Sequence, residues 1–435
     1  MKKKITKYLL LALACLGLQS CLFQEENYFD DSSANRATAD VNRCGELLKA
    51  APNGWVMEYY VGKDYSLGGI TLLCRFDGQR VTMASQMAEA DETVSSLYSV
   101  KSEQATMLSF DTYNYLVHYF GQPQGSMSDD PNGTLGGDYE FIISSASDER
   151  IELKGKKYGN RIVMKAFSAD QTWKQYLTKI KKVEDDAFFY EYDLLMDGLY
   201  TGQMLRSNYT FIVTYYDEIG KVHQKTVPFM FTADGMRFHE PVTIDGQTMQ
   251  NFVWKNEEIS FVCTDEGATG VKMKGIYIDG YQSYDYYPGT YLMDFYRLNG
   301  ATNQLEVASQ EIQLVKNEDG KSYWLKGLEY DILVTYDKPR GGLSILPQFL
   351  KKVQGGYVYL AMWDLMNDYV LRSSAIGLIS YPTTDGIYLV DNGVWMGEIS
   401  GFIFGVYDSQ DEEASFMGYT DAVAAIRLIK KTIEE

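Results

Sequence analysis

Asp-Gly and Asn-Gly pairs punctuate this chain from end to end, and they constrain its fold more than any other feature. They begin at Asn53, Asp77, Asn132, Asp197, Asp234, Asp245, Asp279, Asn299, Asp319, Asp385 and Asn392. Such pairs accept the left-handed torsions that tight hairpin turns require. Many lie between runs rich in Val, Ile, Tyr, Phe and Thr. Residues 70–76 lead through Asp77-Gly78 to 80–83, and 229–232 lead through Asp234-Gly235 to 236–238. Short β-prone runs joined by tight turns build antiparallel meanders, which close into sandwiches or barrels. The expected fold class is mainly β with a few helices: antiparallel meander sandwich- or barrel-like domains behind an N-terminal helix.

The helices are expected in three places. Ser32 or Ser33 caps a helix running to about Lys49, with Val41, Cys44, Leu47 and Leu48 along one face, and Pro52-Asn53-Gly54 ends it. A second is expected over 111–120, where Tyr115, Leu116, Tyr119 and Phe120 fall at helical spacing. The third runs from Gln171 to about Val183 on Trp173, Tyr176, Leu177 and Ile180. Its other face carries Lys174, Lys179, Lys181 and Lys182 and reads as solvated. Residues 184–198, acidic and aromatic, read as a connector. The chain then divides into an N-terminal α+β domain over 32–185 and a C-terminal all-β region over 186–435, divisible into two subdomains near 275. The hairpin signals at 55–60 with 72–78 find an echo at 209–215 with 229–235, which two generic hairpins would also produce.

The first 31 residues have a different character. Lys2, Lys3, Lys4 and Lys7 precede an apolar stretch of eleven residues, 8–18. A bilayer span needs about 20 residues, so this stretch is a secretory signal rather than a transmembrane helix. Leu18-Gln19-Ser20-Cys21 closes it and resembles the cleavage and lipidation site of a bacterial lipoprotein. On that resemblance 1–20 is a signal peptide, and Cys21 carries the acyl chains that tether the mature chain to a membrane. Glu25, Glu26, Asp30 and Asp31 make 21–31 an acidic tether. The cluster is similar to the surface-export signals of Bacteroidota lipoproteins, and an ordinary solvated linker has the same composition. The expected location is the cell envelope, lipid-anchored to the outer membrane and surface-exposed.

Removing 1–20 takes away four lysines and no acids, so the net charge moves from −19 to −23. A body this acidic repels nucleic acid and anionic headgroups, which leaves the N-terminal lipid as the membrane contact. Cys44, Cys74 and Cys263 cannot all pair and match no zinc spacing. Cys74 and Cys263 read as buried small hydrophobes.

The chain carries few signs of a reaction. His118, His223 and His239 are its three histidines, and His239-Glu240-Pro241 does not continue to an H-E-x-x-H zinc motif. His118 reads as a packed side chain among aromatics. Nucleophile elbows, phosphate loops and dinucleotide fingerprints are absent. With 59 acids, a chance pair of carboxylates has no diagnostic value. Asp129-Asp130-Pro131-Asn132-Gly133 offers oxygens but fails the EF-hand spacing, so it reads as a surface turn. No catalytic residue, metal site or cofactor is expected.

Aromatic residues make up 14% of the chain, with 35 tyrosines. They concentrate over 277–296, in Tyr277, Tyr281, Tyr284, Tyr286, Tyr287, Tyr291, Phe295 and Tyr296, alongside Asp279, Asp285 and Asp294. Aromatic faces stack on sugar rings, and carboxylates accept hydroxyl hydrogen bonds. Tyr281, Tyr284, Tyr286, Tyr287 and Asp285 are therefore the candidate ligand-binding residues, with cross-strand packing as the structural alternative. The apolar, aromatic run 357–363 is a second candidate on the same terms.

Four segments carry a family resemblance: FDDSSANR at 29–36, SFDTYNYLVHYF at 109–120, GDYEFII at 137–143 and LKGKKYGNR at 153–161. They resemble an uncharacterised family of Bacteroidota lipoproteins defined as a domain of unknown function, most clearly over 18–183. Relatives of that kind accompany outer-membrane nutrient-uptake systems of the starch-utilisation type. The resemblance implies a glycan- or peptide-scavenging context. With the anchor, the acidic aromatic body and the missing catalytic motifs, the expected role is a non-enzymatic surface lipoprotein that binds a glycan or peptide or supports an outer-membrane transporter complex. A structural or adhesive scaffold, and a hydrolase with an unrecognised carboxylate pair, remain the alternatives.

Overall fold

The computed structural model describes residues 32–123, 133–217, 219–411 and 413–431. Cys21, the signal segment, the acidic tether and Asp129 to Asn132 lie outside the described residues. Among them the chain is mainly β with three α-helices, and every strand pairing is antiparallel. The fold class expected from the turn pattern is the one observed.

Helix α1 (Ser33–Ala50) starts where the Ser32 side chain accepts from the Asn35 N–H at 3.1 Å, and it buries Cys44 and Leu48 one turn apart. Gly54 (φ +82) then turns the chain into the first strand. A Cβ there would lie 2.5 Å from the carbonyl oxygen of Cys74, so the turn leaves no room for a side chain.

Strands β1 (Trp55–Val61), β2 (Gly68–Asp77), β3 (Arg80–Ser85), β4 (Val94–Ser102), β5 (Thr106–Phe110), β6 (Glu140–Ala146), β7 (Arg150–Gly155) and β8 (Arg161–Ala166) follow each other around a closed eight-stranded barrel. β1 pairs on one side with β2, Trp55 facing Cys74, and on the other with β8, Trp55 facing Ala166. Alternation sends Trp55, Met57 and Tyr59 inward, where they meet Phe110 and Phe141. An eight-stranded barrel encloses just enough space for such side chains to fill.

The helix expected over 111–120 shrinks to one turn, α2 (Tyr115–His118). The Asp111 N–H donates to the Leu97 carbonyl, and the Leu97 N–H donates to Thr112 Oγ1. Those bonds hold 111–112 against β4, and Asn114 then caps the turn. Helix α3 (Trp173–Asp186) matches its signal, opening with a reciprocal capping box between Thr172 and Gln175.

The second barrel comprises β9 (Glu191–Met196), β10 (Leu199–Ser207), β11 (Thr210–Tyr216), β12 (Val222–Phe231), β13 (Gly235–Ile244), β14 (Gln247–Lys255), β15 (Ser260–Cys263) and β16 (Val271–Ile276). β9 pairs with both β10 and β16 and so closes it. Much of the segment 184–198 is thus the end of α3 and a full barrel strand rather than a connector. Asp197-Gly198 (φ +48, +82) and Asp245-Gly246 (φ +47, +75) make the left-handed hairpin turns the sequence signalled. Leu73 and Ala84, on the outside of the first barrel, share one core with Leu177 and Ile180 of α3 and with the second barrel.

The third unit holds β17 (Gly289–Asn299), β18 (Gln304–Lys316), β19 (Ser322–Lys326), β20 (Ile332–Asp337), β21 (Gly342–Ile345), β22 (Gln348–Val353), β23 (Gly356–Asp364), β24 (Tyr369–Leu371), β25 (Leu378–Thr383), β26 (Gly386–Asp391), β27 (Gly401–Tyr407) and β28 (Phe416–Lys430). Its pairings run β17-β18-β19-β20-β21-β25-β26-β28 and return from β28 to β17, a third ring of eight. β28 spans 15 residues, more than the ring uses. Its second half pairs with β17 and β26, and its first half leaves the ring to pair with β27. β23 and β22 follow β27, with β24 beside β23, so a sheet extension projects from the ring.

Candidate functional site

The aromatic cluster picked out at 277–296 is a packing plug at the start of the third unit. Tyr287 is fully buried and donates to the Gly341 carbonyl at 2.8 Å, and Tyr291 donates to the Tyr287 carbonyl at 2.7 Å. Tyr284 stacks on Tyr323 at 4.7 Å and donates to the Ser322 carbonyl at 2.8 Å. Tyr281 lies parallel to Phe188 at 5.9 Å, which ties the third unit to the stretch after α3. Tyr286 and Asp285 are exposed, but Lys430 covers the Tyr286 ring and Lys316 pairs with Asp285. The cluster binds itself: the hydroxyls of Tyr284, Tyr287 and Tyr291 go to backbone carbonyls, that of Tyr281 meets the Tyr336 hydroxyl, and Tyr287 offers no face to a soluble ligand.

The second aromatic run has the opposite fate. In β23, Val358 and Leu360 face the core while Tyr357 and Tyr359 face outward. Tyr359 stands at the centre of a row of rings, one on each of four neighbouring strands. Phe349 of β22 lies 5.4 Å from Tyr359, Tyr359 lies 5.7 Å from Tyr407 of β27, and Tyr407 lies 5.5 Å from Phe416 of β28. Neighbours meet edge to face, the arrangement ring quadrupoles prefer. The row exists because the strand register places Phe349 opposite Tyr359 and Tyr407 opposite Phe416. Gly405 is required beneath it: a Cβ there would meet ring atoms of Tyr407 at 2.9 Å and of Phe416 at 3.1 Å.

The ends of the row are open, with Phe349 45% and Phe416 44% exposed. Its centre is covered by the Arg372 guanidinium, 4.8 Å from the Tyr359 ring and 4.2 Å from the Tyr407 ring. Arg372 donates to the Asp411 carbonyl at 2.5 Å, which fixes it to the loop after β27. Burial pushes the Tyr407 phenol up in pKa, and the nearby guanidinium opposes that. Around Arg372, Tyr359, Tyr407 and Phe416 opens a groove of about 670 Å³, with Ser373, Ser374, Gln410 and Asp411 supplying polar groups. Asp364 anchors the loop that brings β24 and Arg372 here. It accepts from Asn367 Nδ2 at 2.9 Å and Trp395 Nε1 at 3.0 Å, bonds that hold its carboxyl below the usual range. Such a groove can stack a flat ring and bond its substituents.

The histidines are packed. His118 lies nearly parallel to Tyr139 at 4.7 Å, and burial lowers its pKa. His223 stacks on Tyr215 and bonds Asp217 at 2.8 Å. His239 contacts both Tyr60 and Tyr65. Cys44, Cys74 and Cys263 are buried free thiols. Among the described residues, no helix is long and apolar enough to cross a membrane.

Residues 25–256 match the model of a domain of unknown function, DUF4302. The chain belongs to that family. Residues 264–403 match a second domain of unknown function, DUF4987. No curated protein sequence matches the chain. Among solved structures it is similar to a protein of unknown function from the DUF3598 family of Nostoc punctiforme, at 8% identity and TM-score 0.15, covering 57% of this chain and 98% of that one. It is also similar to intact Ap-TbpB, N and C lobes, at 10% identity and TM-score 0.14, covering 84% of this chain and 67% of that one. A mutant of the vaccine antigen Transferrin Binding Protein B from Haemophilus parasuis matches at 11% identity and TM-score 0.13, over 84% and 67%. TM-scores this low do not establish a shared fold.

In this DUF4302 chain the DUF4302 match covers the first barrel and the second as far as β14, whereas the groove lies in the third unit. Sequence reasoning reached Tyr357 and Tyr359 but missed Phe349, Arg372, Tyr407 and Phe416. Their signal is dispersed: each sits on a different strand or loop, and only the pairing of β22, β23, β27 and β28 assembles them.

Proposed function

We propose that this DUF4302 protein is a surface lipoprotein, anchored through Cys21 to a bacterial outer membrane, that captures glycan for a nutrient-uptake system. The signal at 1–21 and the acidic tether support the anchor. The observation that carries the ligand class is the row of four rings on the sheet extension, open at both ends and flanked by Arg372 and the polar groups of the groove. A sugar ring stacks its C–H face on an exposed aromatic ring such as Phe416, and its hydroxyls reach Arg372, Ser374 and Asp411. A net charge of −19 makes neutral glycans the better match for the chain as a whole.

The test is binding of the full chain to a panel of soluble polysaccharides and peptides, read by intrinsic fluorescence, with Phe416→Ala and Arg372→Ala as variants. A saturable glycan hit that both variants weaken supports the reading. Exclusive binding of peptides, or a glycan hit indifferent to both substitutions, refutes it. The anchor has its own test: Cys21→Ala must abolish metabolic labelling with palmitate and release the chain from the membrane fraction.

A further inference from the structure

The first two barrels meet along β2 and β12, and beside that meeting, where Arg237 of β13 reaches Glu58 of β1, the seam holds a cavity of about 440 Å³. Strand alternation sends Glu58 and Tyr60 to the outside of the first barrel, yet both are buried because the second barrel covers them. Arg237 of β13 crosses the seam to one carboxylate oxygen of Glu58, and Lys165 Nζ holds the other at 2.7 Å. Two donors are left over. The Tyr60 hydroxyl and the Arg237 Nε are buried without a hydrogen-bond partner. They lie close enough for the guanidinium charge and a hydrogen bond from the Arg237 side chain to oppose the rise that burial imposes on the phenol's pKa, but neither of these two atoms has a partner of good hydrogen-bond geometry.

The cavity also has an aromatic wall built at a cost. Asp64 (φ +53) and Tyr65 (φ +59) both occupy the left-handed region, which a bulky residue rarely enters. That conformation brings the Tyr65 ring to 4.0 Å from the His239 imidazole, whose centroid lies 4.3 Å from the Tyr60 ring. At the rim, Arg150 and Arg161 share Glu152. Arg150, Arg161, Arg237 and Lys165 face Glu58, Glu152 and Glu240, an excess of one cation in a chain of net charge −19.

Two buried donors without a well-aligned acceptor, in a locally cationic pocket with an aromatic wall, fit a planar anion with two oxygens. We propose that the seam between the first two barrels binds the carboxylate of a small sugar acid. The carboxylate receives the Tyr60 hydroxyl and the Arg237 Nε–H, Arg161 completes the charge, and the sugar ring lies against Tyr65 and His239. Its position in the first two barrels makes this site independent of the groove in the third unit.

Calorimetric titration of the full chain with glucuronate, glucose and N-acetylglycine tests the proposal. Glucuronate is expected to bind saturably and glucose not to bind. Arg161→Gln removes an exposed partner without disturbing the buried pair, and it should weaken glucuronate about tenfold, the loss of one charge-assisted hydrogen bond. Tyr60→Phe deletes a donor without changing charge and should weaken it several-fold. Equal binding of glucose, no binding of glucuronate, or glucuronate affinity unchanged in both variants overturns the proposal. Preference for N-acetylglycine keeps the carboxylate and overturns the sugar acid.

Discussion

Arg237 and Glu58 offer the sharpest test of how the two barrels are held together. Glu58 is 11% exposed at its side chain and Arg237 21%, so their ion pair is largely desolvated. Removing one partner of a fully buried pair costs about 3–5 kcal/mol, mostly because the other charge is stranded. Two features of this seam reduce that cost. Lys165 stays on Glu58 when Arg237 is lost, and solvent reaches part of the guanidinium. Arg237→Met should therefore destabilise by about 1.5–2.5 kcal/mol. Glu58→Leu leaves Arg237 and Lys165 adjacent with no acid between them, and should cost about 2–4 kcal/mol.

The double variant replaces the pair with apolar groups that suit a covered seam, so it should cost less than the sum of the singles. A coupling of about 1–2 kcal/mol is expected from the cycle. Urea unfolding followed by tryptophan fluorescence and by far-ultraviolet circular dichroism supplies the numbers, provided the two transitions coincide. Strict additivity, or an Arg237→Met variant within about 0.5 kcal/mol of the parent, would show that the seam gains nothing from this pair.

Three further outcomes follow from the same geometry. Tyr287→Phe deletes a buried bond to the Gly341 carbonyl and should cost about 1 kcal/mol in urea unfolding while leaving glycan binding at the groove unchanged. Gly405→Ala pushes on the rings of Tyr407 and Phe416, so it should cost about 1–3 kcal/mol and weaken glycan binding together, read by unfolding and by titration. His239 has its pKa lowered by burial, with Glu240 opposing, Arg237 and Arg161 assisting and Glu58 opposing. A depressed imidazole contributes stability above its unfolded pKa of about 6.5 that is lost as pH falls toward the folded value. Thermal unfolding at pH 7 and pH 5 should show that loss, and His239→Gln should reduce it.

The local chemistry of this fold was legible because short-range physics writes it. Asp197-Gly198 and Asp245-Gly246 adopt the left-handed turn torsions that their composition demands, and the Thr172–Gln175 box starts α3 where the spacing places it. What failed was decided at a distance. Residues 111–120 carry Tyr115, Leu116, Tyr119 and Phe120 at helical spacing, yet the bonds between 111–112 and Leu97 leave one turn. The echo between 55–78 and 209–235 pairs the first two strands of one barrel with the third and fourth of the next. It reflects hairpin chemistry rather than equivalent positions. Tyrosine density misled for a related reason. At 277–296 the rings lie close in sequence and pack on one another, whereas the open row draws one ring from each of four strands.

Closed eight-stranded rings also dictate where binding can occur. Each interior is occupied: Trp55, Tyr59 and Phe141 fill the first, Phe211, Phe229 and Phe238 the second, and Tyr291, Tyr323 and Phe402 belong to the core of the third. A filled barrel has no lumen for a ligand and no free edge to pair with one. Sites must then arise where the ring pattern is broken. At the seam, the second barrel covers outward positions of β1, so Glu58 and Tyr60 become buried, and the Tyr60 hydroxyl and the Nε of half-buried Arg237 lack a well-aligned acceptor. In the third unit, β28 outruns its ring and carries β27, β23 and β22 into a sheet whose outer face bears the row from Phe349 to Phe416. Shortening β28 at its first half should therefore remove the groove while sparing the pairing of residues 427–430 with β17.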